Sequence, residues 1–476
     1  MLKLDIKPLH LFGATCYEDS IITVSNWWNR EYIYGFAESW RFEYRMLDHD
    51  PDELLGNKIR YSRRVEMSNF NLYTGIEVKT HLIQDFDEAL ARIKSEIYAE
   101  KPVVIYIDGF WAPWDHIYQK EHFLYHACIA VGIDEENDKL ICIDPFHGIE
   151  GDVDLPLDFY RNGFGPNLLT FQEMENKEAL QEDWRGLIQK TISNLYGRHG
   201  MGINTFAAIE YLADELENGV DLSKEFGNVN DIWRSPLFIS IETAIMGRVK
   251  FLNLISHLAT KFKVNELLAF HDRFEVCINK WQVFKNKLLK LYMIDPNDTP
   301  SRLAKLLREQ AKLEEALASE LMQIAKQTSD SGITAPASNM DLALLATATA
   351  SSHEQRYPVS NINDGLFYTE WRANNETDSA WIKLSWESPQ WMTTFIIRDS
   401  TYQFININSG ILSLSNGFVM EVLDIPKDGT PKELTFPEQE ITWLKFQTTG
   451  SSGDSEKGEG LNGIGNSVSI SQIKVY

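Results

Sequence analysis

The strongest limit on the fold is a change of hydrophobic period along the chain. From about residue 177 to 328 apolar residues recur at i, i+3 and i+4, whereas beyond 342 they alternate with polar ones. A helical stripe and a half-buried strand cannot exchange these patterns, so the two stretches must be different structures. The first 170 residues mix both. At 476 residues the chain is also too long for one core. The expectation is a multidomain α+β protein: an α+β domain over 1–172, a helical domain over 173–328, a linker over 329–341 and an all-β sandwich over 342–476.

The helical stretch contains ALQEDWRGLIQKTISNLYGRH, TFAAIEYLADELEN, a long run from Ser235 to Lys263, and the segment Asn265 to Tyr292. Its last part, Ser301 to Lys326, places Leu306, Leu313, Leu317 and Ile324 at heptad-like separations. A bundle packed on the first domain follows, and the same spacing leaves room for a homodimer through the last helix. TSDSGITAPASNMD, Thr328 to Asp341, reads as a linker. After it come alternating runs such as AWIKLSW, GILSLS and SVSISQIKVY, with Ser451 to Gly460 as a loop tip.

Within the first domain, Gln84 to Lys101 has helical spacing of Phe86, Leu90, Ile93 and Ile97 and is stopped by Pro102. VVIYIDGF, HACIAVGID and KLICIDPF then read as strands of a mostly antiparallel sheet, the last two a hairpin turning at Glu135 to Asp138. That hairpin brings His126, near the start of one strand, and Asp144, at the end of the next, to the same sheet edge.

Cys16 stands at the mouth of a helix continued by Ile21, Ile22, Val24, Trp27 and Trp28. A thiol is mostly protonated at neutral pH, so a nucleophilic cysteine needs an imidazole to take its proton and a third polar group to orient that ring. Helix N–H groups would further favour a thiolate and bind an oxyanion. Cys16, His126 and Asp144 supply these parts. Cys128 and Cys142, inside apolar runs, read as core residues. Asp108, Trp111 and Trp114 lie on a loop leaving a strand, where the two indoles would line an acyl pocket or simply pack. His122 and His126 would share a metal-like face only if helical.

The formal charge of −24 argues against nucleic acid or an anionic membrane as partner. Lys58, Arg60, Arg63 and Arg64 are read as a solvated loop. Four cysteines without a CxxC pair, no apolar leader and no stretch of ~18 apolar residues lead to a cytoplasmic expectation.

From Cys16 through YIYGFAESWRFEYR and YIDGFWAPWDHIYQKEHFLYHACIAVGID to CIDPF, the chain resembles the N-terminal domain of butirosin-biosynthesis protein H and its relatives. These are papain-like proteins of bacterial natural-product and antibiotic biosynthesis. The resemblance implies an acyltransferase with Cys16, His126 and Asp144 as triad, taking an acyl group from the phosphopantetheine thioester of an acyl or peptidyl carrier protein to an amine. No cofactor is required for that chemistry. Papain-like enzymes commonly place an oxyanion-hole glutamine six residues before the cysteine. This chain has His10 there, whose ring N–H could serve alongside the Cys16 N–H, and Thr15 where many relatives carry histidine.

ATATASSHEQRYPVSNINDGLFYTEWRA, the strand Ala380 to Leu384 and the closing SISQIKVY resemble the discoidin, or coagulation-factor C-type, jelly-roll domain. That resemblance implies a structural calcium near Asn363 and Asp364 and a carbohydrate or protein ligand at the end loops. Such domains are frequent on secreted proteins. Three functions stay open: amide-forming acyl transfer, hydrolysis by a cysteine peptidase or amidase of the bacteriocin-processing type, and an inactive papain-like scaffold.

Overall fold

A computed structural model describes residues 2–11, 13–45, 53–61, 67–149, 151–174, 183–197, 203–218, 220, 222–226, 235–294, 299–327, 341–354, 357–365, 369–400, 405–427, 429–453 and 467–476. The architecture is multidomain α+β.

The first region runs β1 (Leu2–Lys3), α1 (Cys16–Trp27), β2 (Phe42–Tyr44), α2 (Leu55–Lys58), β3 (Ile59–Tyr61), α3 (Met67–Thr74), β4 (Ile76–Leu82), α4 (Phe86–Tyr98), β5 (Val103–Asp108), β6 (Leu124–Asp134), β7 (Lys139–Ile143), β8 (Val153–Pro156), α5 (Leu157–Asn162) and β9 (Phe164–Glu173). Its main sheet has the order β4-β9-β5-β6-β7-β8, with β1 beside β6 and every pairing antiparallel. Both faces are covered. Ala127, Ile129 and Val131 of β6 enter the core under α1, while Cys128 and Ala130 enter the core under α4. A strand buried on two sides needs no polar face, hence the unbroken apolar run in β6.

The helical region holds α6 (Trp184–Tyr196), α7 (Thr205–Glu217), α8 (Leu222–Phe226), α9 (Pro236–Phe262), α10 (Asn265–Ile294) and α11 (Thr299–Lys326). Its core is not made by helices alone, because Tyr34, Trp40, Phe42, Tyr44 and Tyr73 of the first region lie inside it. Gly56 meets the backbone of Leu237, and Gly247 the carbonyl of Ser39, so closely that a Cβ at either would collide. In α11 Leu317 and Ile324 are buried, and Leu306 and Leu313 pack partly buried against the same core. The leucine spacing that would also suit a dimer seam is thus taken up inside the chain.

The last region is all β: β10 (Thr347–Ala350), β11 (Trp371–Arg372), β12 (Trp381–Asp399), β13 (Ile405–Leu414), β14 (Val419–Val422), β15 (Lys432–Gly453) and β16 (Ser469–Val475), ordered β11-β16-β12-β15-β13-β14 with β10 on β12. The long strands β12 and β15 pass through two register shifts and enclose one core of their own. Arg398 of β12 and Lys474 of β16 reach Glu275 of α10 at 3.4 and 3.8 Å.

The linker expected over 329–341 lies, Asp341 apart, outside the described residues, as do Arg63, Arg64 and the loop-tip residues 454–460. Lys58 and Arg60 are corrected from loop to α2 and β3, and Lys58 pairs with Glu215 at 3.2 Å. Ser451 to Gly453 still belong to β15. Among the described residues no helix is long and apolar enough to cross a membrane.

Candidate active site

Cys16 is the first residue of α1. Thr15 is its N-cap: the Thr15 hydroxyl accepts the Glu18 N–H at 3.2 Å, and the Glu18 carboxylate accepts the Thr15 N–H at 2.8 Å. At that position the Cys16 N–H has no intrahelical acceptor, so it points its proton out of the helix start beside the half-buried thiol. The turn ahead is made by Gly13 at φ +78° and the Ala14 N–H on the Leu11 carbonyl.

His126 and Asp144 meet as the hairpin predicts. The His126 Nε2 and Asp144 Oδ2 are 2.6 Å apart, both side chains almost wholly buried. That bond uses Nε2, so Nδ1 is the nitrogen left to face Cys16, whose thiol acts on the ring's proton affinity. Burial acts to lower the ring's proton affinity, but the bond to Asp144 and the neighbouring Cys16 prevail and carry it up to about 10. For Asp144, burial acts upward, and His126 with help from His147 and Trp114 holds the carboxyl below its usual range.

A bulge lies at this edge. Ile107 pairs with His126, yet Asp108 pairs with Leu124, so Tyr125 is an extra residue, with φ +115°. Its carbonyl sits 4.0 Å from the Cys16 sulfur.

His10 is brought to the same neighbourhood: Phe146 lies 6.4 Å from its ring and 6.1 Å from that of His126. Its Nδ1 is 2.7 Å from Asp19 Oδ2, a bond that raises the ring's proton affinity, and Asp19 also accepts the Leu11 N–H. With Nδ1–H on Asp19, the ring offers a second donor at Nε2 only as the imidazolium.

The expected pocket residues have other duties. Trp114 donates its indole N–H to Asp144 Oδ2 at 2.6 Å, holding the acid rather than lining a free wall. Trp111 packs on Phe110 and Phe159. Asp108 accepts the N–H groups of Phe110 and Phe123 and pairs with His122 at 2.6 Å, tying the loop. His122 precedes β6 and is stacked on Phe110, so the i, i+4 helical face does not exist. A different group could approach a metal: ligand atoms of Asp115, His126 and His147 lie within 4.8 Å of one another. There His126 Nε2 already holds Asp144, so a cation would have to break the histidine–aspartate pair.

The sequence comparisons fall on two separate stretches. Residues 24–145 match the family model "Butirosin biosynthesis protein H, N-terminal". That protein H match contains Trp114, His126 and Asp144 and begins after Cys16. Residues 341–464 match a domain of unknown function, DUF7402. No curated protein matches the chain. Similar solved structures align with the C-terminal all-β region. One is the family 32 CBM from C. perfringens NanJ in complex with galactose, at 20% identity and TM-score 0.22, covering 28% of this chain and 94% of that one. Another is chitosan-binding module 1 of a Paenibacillus sp. IK-5 chitosanase/glucanase, at 20% identity and TM-score 0.23, covering 29% and 98%.

In that last region Asn363 Nδ2 donates to the carbonyls of Ala343 and Ala346, and Asp364 accepts the Thr369 hydroxyl. These contacts engage the Asn363 amide and the Asp364 carboxylate, the side chains the resemblance sets near a calcium ion. Glu18, Asp19, Phe146 and His147, beyond the protein H match, and Tyr125 within it all border the site, and none stood out from spacing. Lys250 carried a signal, as one of two cations, with Arg248, inside the largely apolar run MGRVKFLNLI.

Proposed function

We propose that this protein is a thiol-dependent acyltransferase that forms an amide in natural-product biosynthesis. Cys16 attacks the carbonyl of a carrier-protein thioester, the carrier thiolate leaves with the proton of the His126 imidazolium, and the acyl group rests on sulfur. An amine then attacks, His126 takes its proton, and Cys16 leaves as thiolate. The Cys16 N–H and the His10 imidazolium would face the oxyanion. The observation that carries this reading is a thiol at a helix start beside a buried imidazole whose far nitrogen is held by Asp144. The match to protein H supports the biosynthetic setting.

Intact-protein mass spectrometry with a panel of acyl thioesters tests it. A mass gain in wild type that Cys16→Ala lacks is expected; equal gains in both would defeat it.

Hydrolysis is the second reading, favoured by the exposure of Phe123, Leu124 and Tyr125 at 55%, 58% and 65%, which leaves the thiol's rim unroofed. Product analysis with and without an added amine separates the two. An inactive scaffold would instead alkylate no faster than free cysteine. For the C-terminal region we propose a carbohydrate ligand, for which the exposed Trp391 offers a stacking face.

A further inference from the structure

Two fully buried charges meet behind the nucleophile helix. Lys250, in the middle of α9, places Nζ 2.6 Å from Oε1 of Glu18, in the first turn of α1. The other carboxylate oxygen, Oε2, accepts the N–H and the hydroxyl of Thr15 at 2.8 and 3.0 Å. The ammonium therefore holds the carboxylate, the carboxylate holds the N-cap residue, and the N-cap residue precedes Cys16. One turn earlier on the same face of α9, Met246 lies against Gly13 in the turn that leads into α1.

A helix cap on a surface needs no such partner. A carboxylate buried within a turn of a cysteine is a different matter, because uncompensated negative charge opposes the thiolate. Among the described residues, the charged and titratable groups around Cys16 include Glu18 and Asp19 on α1, His10 ahead of it, His126 and the buried Cys128 on β6, Asp144 and His147 after β7, and Lys250 from α9. Lys250 is the cation whose partner is Glu18; His10 is matched to Asp19, His126 to Asp144, and His147 to Asp115.

We propose that Lys250 is a positioning residue for the Cys16 chemistry, fixing the cap through Glu18 and cancelling the Glu18 charge. This makes the helical region part of the reactive apparatus and rests on Cys16 being the nucleophile.

The test uses the full chain and iodoacetamide at neutral pH, read by mass spectrometry. Cys128, Cys142 and Cys277 are buried, so native labelling reports Cys16. Lys250→Met is expected to slow labelling about tenfold or more, and to lower kcat with KM unchanged. Adding Glu18→Gln removes the stranded charge while keeping an oxygen for the Thr15 N–H, and should restore labelling to near wild type. Wild-type labelling in Lys250→Met, or a double variant no faster than the single, would overturn the proposal. Should Lys250→Met not fold, the comparison passes to Glu18→Gln alone: labelling at least as fast as wild type supports the proposal, and slower labelling overturns it. The acyltransferase reading fails separately, on the thioester panel, because alkylation needs no acyl donor.

Discussion

The helical region grips its two neighbours in different ways. Toward the first region, Trp40 donates to Glu314 of α11 at 2.9 Å, Arg248 of α9 binds the same carboxylate through two nitrogens at 2.6 and 2.7 Å, and aromatic side chains from both regions share one core. Toward the last region, Glu275 meets Arg398 and Lys474 at 3.4 and 3.8 Å, and the β core contains nothing from the helices. A shared core with a satisfied buried carboxylate ties two regions into one folding unit, whereas a polar contact between separate cores joins two that can fold apart.

That contrast can be broken experimentally. Cys16→Ala should abolish turnover with an unchanged melting curve; full activity would remove the chemistry from the first unit altogether. Asp144→Asn should lower the rate less, since the amide oxygen can still accept from Trp114 and from the His126 ring. It should also move the alkaline limb. His126 is held protonated up to about 10, so wild-type activity that depends on the imidazolium persists below that pH and falls above it. Without the carboxylate the limb should drop toward about 6.5, and a pH–rate profile with an unmoved limb would contradict the assignment. Glu314→Gln strands Arg248 in the shared core and should destabilise by about 3–5 kcal/mol in urea unfolding. Burial pushes Glu314 up, but Arg248 holds it below its usual range, so its stabilisation is present above about 4.5 and lost as pH falls through the lower folded value. Glu275→Gln, at the looser contact, should lower stability by about 1 kcal/mol. Smallest of all, a 1–327 fragment should keep the acyl chemistry; a folded but dead fragment would show that the β region is coupled to the site.

Much of this was legible in the sequence. The hairpin brought His126 and Asp144 to one sheet edge because β-strand alternation and a four-residue turn leave little freedom. The helix start at Cys16 was legible from its apolar sequel, and the long helices from their stripes. Tertiary closure was not. Trp114 was expected as pocket wall and is the indole that holds Asp144, a contact between residues thirty apart that no local period encodes. The Tyr125 bulge is invisible to alternation, which resumes on either side of it. The leucines of α11 looked equally suited to a partner copy, because a spacing states that a face is apolar and not what covers it.

Gly56 against Leu237 and Gly247 against Ser39 put main chain on main chain where the first region meets the helices. Such a seam has no slack for a hinge, so the helices cannot swing aside as a gate. Tyr125, whose carbonyl lies 4.0 Å from the sulfur, and Phe146, against the His126 ring, border the thiol without belonging to that seam, and substitutions there should change access without disturbing it.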